Sequence, residues 1–506
     1  MRLAELLKNV GEHELVGNPD QEIAGIAYDS RKVQKGYLFV ALRGQKLDGH
    51  SYLRDAVERG AVALAGEQID DGETTATRVR VRDSRSALSR LAMVFYGHPF
   101  RGVDLVGITG TNGKTTTSFF LESILQRAGA RPGVVGTINY RFSGRTYPAP
   151  VTTPESLDLT ALVREMVNAG VTHVIMEVSS HALDQKRTSD CPFRVAIFTN
   201  LSRDHLDYHG TMEEYFRAKS LLFRELGKQV SGSGAAAVIN MDDPRGSELA
   251  GLTDAPVLSY GVREGRMVRA ASIQTDRTGL KVDLITPWGT RAIRSALLGE
   301  FNIYNILAAS AAALSLGIGL DDVAKGIEDL RVVPGRMELV ENPRDLALVV
   351  DYAHTPDALL KTLKSLRSSA VGRLITVFGC GGDRDKGKRY DMGLVAGQES
   401  DLVFITSDNP RSEEPLSIIS AIERGVRDSG LQRLDWPSPC QDVQRGYFTE
   451  VDRREAIRKA VSLAARKDLI LIAGKGHEDY QIVGGERRQF DDRREAALAV
   501  SGSMRG

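Results

Sequence analysis

The sequence predicts an α/β protein of three domains, and three observations carry that prediction. The chain has 506 residues, well beyond the roughly 250–300 at which a single hydrophobic core stops growing. Short apolar runs with strand character alternate with segments of helical period along most of its length, the pattern of parallel sheets flanked by helices. A glycine-rich turn, Gly107-Ile-Thr-Gly-Thr-Asn-Gly-Lys-Thr-Thr116, joins an apolar strand to a helix.

Residues 1–100 read as a small α/β unit. Strands are expected at 23–28, 37–41 and 61–65, a helix over 53–58, and a longer helix over 80–96 that leads to a Gly97-His-Pro-Phe100 linker. A second unit spans 101–332 and reads as a P-loop ATPase-like, largely parallel sheet. Its strands are expected at 105–109, 133–136, 173–177, 195–199 and 236–240, with helices over 116–128 and 214–223 and an alanine-rich closing helix over 305–316. A third, Rossmann-like unit spans 333–506, with strands at 347–351, 374–379, 402–406 and 469–473. Asp468-Leu-Ile-Leu-Ile-Ala473 is apolar enough to be covered on both faces. Such sheets place their binding sites at the carboxyl ends of the strands.

Lys plus Arg and Asp plus Glu both number 66, so no basic excess favours a nucleic-acid surface. The three cysteines, Cys191, Cys380 and Cys440, are far apart, have no metal-ligand spacing and read as small buried hydrophobes. The first ten residues lack a signal-peptide core, and no run of about 18 apolar residues occurs. A cytoplasmic protein without membrane insertion is the expectation.

The glycine-rich turn has the parts of a phosphate cradle. Backbone N–H groups and the positive end of a helix face an anion. Gly110, Thr111, Asn112 and Gly113 form the turn, Lys114 is placed for the terminal phosphates, Thr115 for a magnesium ion, and Thr116 continues the helix. The spacing departs from the common motif, because Ile108 stands where its first glycine belongs. Glu177 ends the strand Val174-Ile-Met-Glu177, where a carboxylate can hold magnesium beside Thr115. The loop Asn200-Leu-Ser-Arg-Asp-His-Leu-Asp-Tyr-His-Gly210 offers His205 as a second metal ligand, with Asp204 and Asp207 as rivals. On the helix that follows, Tyr215, Lys219 and Leu222 share one face. Position alone reads Lys219 as a lysine whose stem packs while its head reaches water. The alternative is a buried amine of lowered pKa, open to carbamate formation with carbon dioxide.

Four more runs mix small and charged residues at predicted strand ends. They are Asp351-Tyr-Ala-His-Thr-Pro356, Gly379-Cys-Gly-Gly-Asp-Arg-Asp-Lys386, Ser407-Asp-Asn-Pro-Arg-Ser-Glu-Glu-Pro415 and Gly474-Lys-Gly-His-Glu-Asp479. Turn chemistry explains each alone. Together they describe one crevice with arginines (Arg384, Arg411) for carboxylates and acids (Asp408, Glu478) for an ammonium, a site for a zwitterionic amino acid.

At this point the chain resembles the ATP-dependent Mur ligases of peptidoglycan synthesis over essentially its whole length. Gly110-Thr-Asn-Gly-Lys-Thr-Thr116 is similar to the family's phosphate loop. Thr152-Thr-Pro154, Met176-Glu-Val-Ser-Ser-His181, His205-Leu-Asp-Tyr-His-Gly210, Phe301-Asn-Ile-Tyr-Asn305, Gly335-Arg336 and Asp351-Tyr-Ala-His354 match in the family's order. Asp408-Asn-Pro-Arg411 is similar to the motif of members that add meso-2,6-diaminopimelate; lysine-adding members lack that arginine. Val151 is a departure, since some relatives carry asparagine before the Thr-Thr pair.

The resemblance implies roles. Lys219 matches the carbamylated lysine, and Ser30 a contact to the uridine nucleotide, which makes the first unit a substrate-nucleotide domain. Thr152, Thr153, Ser179, Gln185 and Arg187 match positions that hold a UDP-linked muramoyl-dipeptide. Asn302, Arg336 and Asp351 resemble ATP contacts. Arg384, Asp408, Asn409, Pro410, Arg411, Gly474 and Glu478 match a diaminopimelate site. The implied chemistry is amide ligation, with ATP as co-substrate and Mg2+ as cofactor. The D-glutamyl γ-carboxylate of the muramoyl-dipeptide takes the γ-phosphoryl group, and the diaminopimelate amine displaces phosphate from the acyl phosphate. A monomer handling only small molecules is expected, with hinges near residues 100 and 332. A lysine-adding muramyl ligase, a folylpolyglutamate synthetase-like ligase and a nucleotide-switched binding protein are the alternatives.

Overall fold

The computed structural model describes residues 1–44, 47–69, 75–228, 234–276, 278–344, 346–436 and 445–502; Cys440 lies outside them. The described residues build three main sheets and a separate two-stranded hairpin. In the first sheet the strands run His13–Val16, Thr77–Val81, Ala61–Gly66, Tyr37–Val40, Gly25–Ala27, parallel except for the first pair.

The second sheet has eleven strands. Its centre is parallel: Val268–Asp276, Val257–Gly261, Ala236–Asn240, Phe193–Phe198, Asp104–Thr109, His173–Glu177, Pro132–Val135. The five strands from Ala236–Asn240 to Pro132–Val135 are buried on both faces, which is why they read as continuous apolar runs. Antiparallel hairpins extend both edges, Asn139–Phe142 with Arg145–Pro148 on one side and Gly279–Thr286 with Gly289–Ser295 on the other. Helix Phe301–Ser315 is sheathed on nearly every side, and its alanines let it lie close to the sheet beside helix Lys114–Arg127.

The third sheet runs Glu338–Leu339, Ala347–Asp351, Leu469–Ala473, Leu374–Phe378, Leu402–Ile405, Gly446–Thr449, parallel after the first pair. Behind it Arg453 and Asp492 form an ion pair at 2.7 Å with both side chains fully buried. The same guanidinium donates to the carbonyls of Ser407 and Ala473 at 3.3 and 2.9 Å, bracing two strand ends from below. No helix of the described residues is long and apolar enough to cross a membrane.

One expectation changes. The predicted helix over 80–96 starts too early: Arg80 and Val81 close the strand Thr77–Val81, and the helix begins at Ser84, where Asp83 accepts from the N–H of Ser86 as its cap. The second sheet is largely parallel, as expected, with antiparallel hairpins added at both edges.

Candidate active site

The strand Asp104–Thr109 delivers the chain to a turn that only glycine can make at two places. Gly110 has φ 140° and Gly113 φ 88°. A Cβ at Gly113 would stand 2.3 Å from the Asn305 side-chain oxygen. The turn is pinned from the neighbouring strand end. Asn200 Oδ1 accepts the Asn112 N–H at 3.0 Å, and the Asn112 carbonyl accepts from Asn200 Nδ2 at 3.1 Å and from the Thr199 hydroxyl at 2.7 Å. Helix Lys114–Arg127 starts at once, so its unpaired N–H groups open onto the turn. Lys114 Nζ donates to the carbonyls of Gly110 and Thr111, both at 2.8 Å.

Glu177 sits beneath this crown, 1% exposed. Its Oε2 accepts from the hydroxyls of Thr115 and Thr137, both at 2.9 Å, and its Oε1 accepts the Thr137 N–H at 3.0 Å. Sequence reasoning placed Thr115 and Glu177 together and missed Thr137, which carries no motif signal. Thr137 in turn bonds Thr152 at 3.1 Å, so the substrate-motif threonines connect to the carboxylate. Thr153 donates to the Glu177 carbonyl at 2.8 Å and accepts the Ser179 N–H at 3.1 Å. Arg187 donates to the Thr153 carbonyl at 2.8 Å and to Gln185 Oε1 at 2.7 Å. Thr152, Thr153, Ser179, Gln185 and Arg187 therefore form one connected wall. Ser30 stands apart from that hydrogen-bonded chain, in the first sheet's layer, opening a short helical turn capped by Asp29.

Lys219 does not reach water. It is 2% exposed, its amine donates to the Gly110 carbonyl at 2.9 Å and lies 4.5 Å from the Tyr215 ring centroid. The snorkelling reading is thus corrected: the helix packs its Lys219 face flat against the phosphate loop. Burial, followed by the nearby charge of Lys114, pushes the Lys219 pKa well below the ordinary lysine value. Two lysine amines share the Gly110 carbonyl. His205 takes a left-handed backbone (φ 54°) beside Asp204, 3.4 Å from ring to carboxylate, and its ring meets that of His181 edge-on at 4.9 Å. Desolvation lowers the His205 pKa, so the ring is neutral and has a lone pair to offer.

Arg336 reaches across from the third sheet's layer. It stacks 4.4 Å over the Tyr352 ring and donates to the Thr115 hydroxyl oxygen at 3.3 Å. Asp351, at the end of its strand, accepts the N–H groups of Met337 and Ala353 at 2.8 and 2.9 Å, which fixes the segment that carries Arg336. Asn302 accepts from Asn305 at 2.8 Å on the helix behind the turn. Asn112 donates to Asp357 at 3.1 Å, a direct tie between the turn and the helix Pro356–Ser369.

The four charged runs end four strands that are adjacent in the sheet, in the order Ala347–Asp351, Leu469–Ala473, Leu374–Phe378, Leu402–Ile405. Asp408 Oδ2 lies 2.6 Å from where a Cβ at Gly474 would stand, so a side chain there would crowd the carboxylate. Asn409 donates to Glu478 at 2.8 Å. Arg411 (φ 54°) donates from its side chain to the Gly382 carbonyl at 2.6 Å and, through its backbone, pairs with Ile482 of the hairpin. Arg384 turns to the Asp383 carbonyl at 3.3 Å on the rim. Pro410, between Asn409 and Arg411, is buried with its carbonyl packed where Gly382 has no side chain. Lys475, which sequence reasoning left without a role, is fully buried among the acids.

Three family models match: the Mur ligase family catalytic domain over residues 22–96, the Mur ligase middle domain over 108–313, and the Mur ligase glutamate ligase domain over 335–476. The chain is 49% identical to a UDP-N-acetylmuramoyl-L-alanyl-D-glutamate--2,6-diaminopimelate ligase of Geobacter sulfurreducens, over 100% of both chains. The chain belongs to the Mur ligase family. A solved structure of a ligase with that same name superposes with a TM-score of 0.68 at 32% identity, covering 100% of this chain and 99% of the other. The fold also matches a MurF ligase of Thermotoga maritima solved with ADP, with a TM-score of 0.63 at 18% identity over 96% and 99% of the chains. The Mur ligase sequence and the three-sheet α/β fold thus agree.

Proposed function

We propose that this Mur ligase is an ATP-dependent carbon–nitrogen ligase that adds meso-2,6-diaminopimelate to the D-glutamyl γ-carboxylate of UDP-N-acetylmuramoyl-L-alanyl-D-glutamate in peptidoglycan precursor synthesis. The observation that carries the reading is the meeting of a phosphate loop with an acid-and-arginine pocket in one chain, supported by full-length relatives of that activity. Residues 1–100, 101–332 and 333–506 serve as substrate-nucleotide, ATP and amino-acid domains. A monomer acting in the cytoplasm goes with this reading.

The chemistry follows from the barrier. A carboxylate and an ammonium do not condense in water, so the acid must first gain a leaving group. The γ-carboxylate attacks the γ-phosphorus of ATP, forming an acyl phosphate and expelling ADP. The amine then adds to the acyl carbon, the tetrahedral intermediate collapses, and inorganic phosphate leaves. The first step brings two anions together, and Lys114, the helix N-terminus and Arg336 lower that repulsion. Asn302, Arg336 and Asp351 frame the nucleotide. Thr152, Thr153, Ser179, Gln185 and Arg187 hold the muramoyl-dipeptide, and Ser30 its uridine end.

Mg2+ suits the donor set around Thr115, since a hydroxyl and a carboxylate 2.9 Å apart are hard oxygen donors. Among the described residues no three acid, histidine or cysteine side chains gather as a metal cluster, so Thr115 and Glu177 would hold the ion together with phosphate oxygens. Such an ion supplies charge neutralisation on the phosphates. Neutral His205 and a carbamate on Lys219 offer one nitrogen and one anionic oxygen on the other side of the turn.

The test is phosphate release with ATP, UDP-muramoyl-dipeptide and diaminopimelate, each omitted in turn. Release that needs all three, with an amide product, is expected. Release without the dipeptide fits a nucleotide-switched protein, and equal turnover with lysine fits a lysine-adding ligase; either overturns the reading.

A further inference from the structure

Lys475 lies at the floor of the amino-acid pocket with a side chain 0% exposed. Its amine is 3.1 Å from Glu478 Oε2, 3.1 Å from Asn409 Oδ1 and 3.8 Å from Asp408 Oδ1, with the Tyr480 ring centroid 5.4 Å away. A lysine is buried this fully only when its charge is met, and here two carboxylates meet it. The bonds around Asn409 are also forced. Its carbonyl oxygen accepts from Lys475 and from the Ile482 N–H at 2.9 Å, so its NH2 must face Glu478, to which it donates at 2.8 Å. Two other buried cations near these strand ends are already matched, Arg453 by Asp492 at 2.7 Å and Arg389 by Glu413 at 2.8 Å. In formal charge the pocket therefore sets two carboxyl groups against one built-in lysine. One unit of negative charge remains, enough for one ammonium.

We propose that Lys475 is a specificity-determining residue: it cancels one of the two carboxylates of the Asp408–Glu478 pair, so that the pocket draws a single substrate ammonium and holds the Asn409 amide in one orientation. This rests on the amino-acid site assigned above. Without Lys475 the pair would be a doubly charged trap that favours any cation, including compact dications and metal ions. With Lys475 but without Glu478 the pair would be neutral and would ignore the ammonium.

That last asymmetry gives a test that a packing role cannot imitate. Glu478→Gln should raise KM for diaminopimelate by about tenfold or more and leave KM for ATP within about twofold. Adding Lys475→Met to Glu478→Gln leaves Asp408 uncancelled, so the double variant should recover diaminopimelate KM by several-fold relative to Glu478→Gln alone. Losses that simply add, or that fall equally on ATP and diaminopimelate, overturn the inference. Should Lys475→Met fail to fold, Glu478→Gln alone still decides. Comparing diaminopimelate with 2-aminopimelate, which lacks the second ammonium, wild type should prefer diaminopimelate strongly, and Glu478→Gln should show almost no preference. A preference kept in Glu478→Gln means Asp408 was never cancelled, and the inference fails. Wild type that does not use diaminopimelate at all would instead sink the assigned function.

Discussion

Two buried lysines behave as opposites because their neighbours differ. Lys219 faces the phosphate turn, where its amine shares the Gly110 carbonyl with Lys114 and bonds no carboxylate. Burial, and then repulsion from Lys114, push the Lys219 pKa well below the ordinary lysine value. Lys475 instead faces two carboxylates, with its amine 3.1 Å from Glu478 and 3.8 Å from Asp408. The same side chain is thus pushed toward the neutral amine in one sheet layer and set between carboxylates in the other. A neutral amine can attack carbon dioxide and become an anion, which suits a region that must gather cations around phosphate. A lysine set between carboxylates suits a region proposed to count charges on an amino acid.

Breaking Lys219 should have the largest effect. Lys219→Ala is expected to lower kcat by roughly 10³-fold, with partial recovery when acetate is added as a stand-in carboxylate; normal turnover without any additive would end the carbamate role. The pH sense follows from the lowered pKa. Carbamate formation needs the unprotonated amine, so activation by bicarbonate should be present above the depressed pKa of Lys219 and fade as pH falls through it. Activation that grows on acidification would contradict it.

Stability sharpens the same contrast. Lys219→Met removes an amine that has no ion pair, and Gly110 keeps its bond from Lys114, so the melting temperature should hold or rise. Lys475→Met strands two carboxylates together and should cost about 1–3 kcal/mol. Thermal unfolding of the two variants side by side checks the signs; a matching loss in both would show that the two environments do not differ as described. For selectivity, Arg411→Ala should cut the ratio of kcat/KM for diaminopimelate over lysine by roughly tenfold to a hundredfold. An unchanged ratio would remove Arg411 from recognition.

The phosphate side was more legible in the sequence than the amino-acid side, and the reason is geometric. Gly110 to Thr116 is contiguous, and its ligands are backbone N–H groups whose positions follow from a strand, a turn and a helix start. Glu177 could be placed because a strand end in the same sheet has few places to be. The amino-acid pocket draws on four separated runs, and nothing in the chain says that the strand Leu469–Ala473 inserts between Ala347–Asp351 and Leu374–Phe378. That insertion is what brings Lys475 to Asp408, so Lys475 was quoted within a run yet given no role. Thr137 was invisible for a different reason, since a lone threonine after a strand has no pattern. Lys219 was misread from position alone because helical periodicity shows a face but not what covers it.

The smallest expected effect concerns the tie between the two sites. Asn112 donates to Asp357 at 3.1 Å, while Asp357 also pairs with Lys361 at 2.9 Å and keeps about a third of its side chain in water. A partly solvated bond of this kind is worth about 0.5–1.5 kcal/mol, and its loss is softened because the carboxylate has a second partner. It is nonetheless a contact that the phosphate turn makes directly with the layer carrying the amino-acid pocket. Asp357→Ala should therefore leave the melting temperature nearly unchanged and raise KM for ATP and for diaminopimelate together, each by a few-fold. A rise in only one would mean that Asn112 positions its own turn and that the two lysine environments are assembled independently.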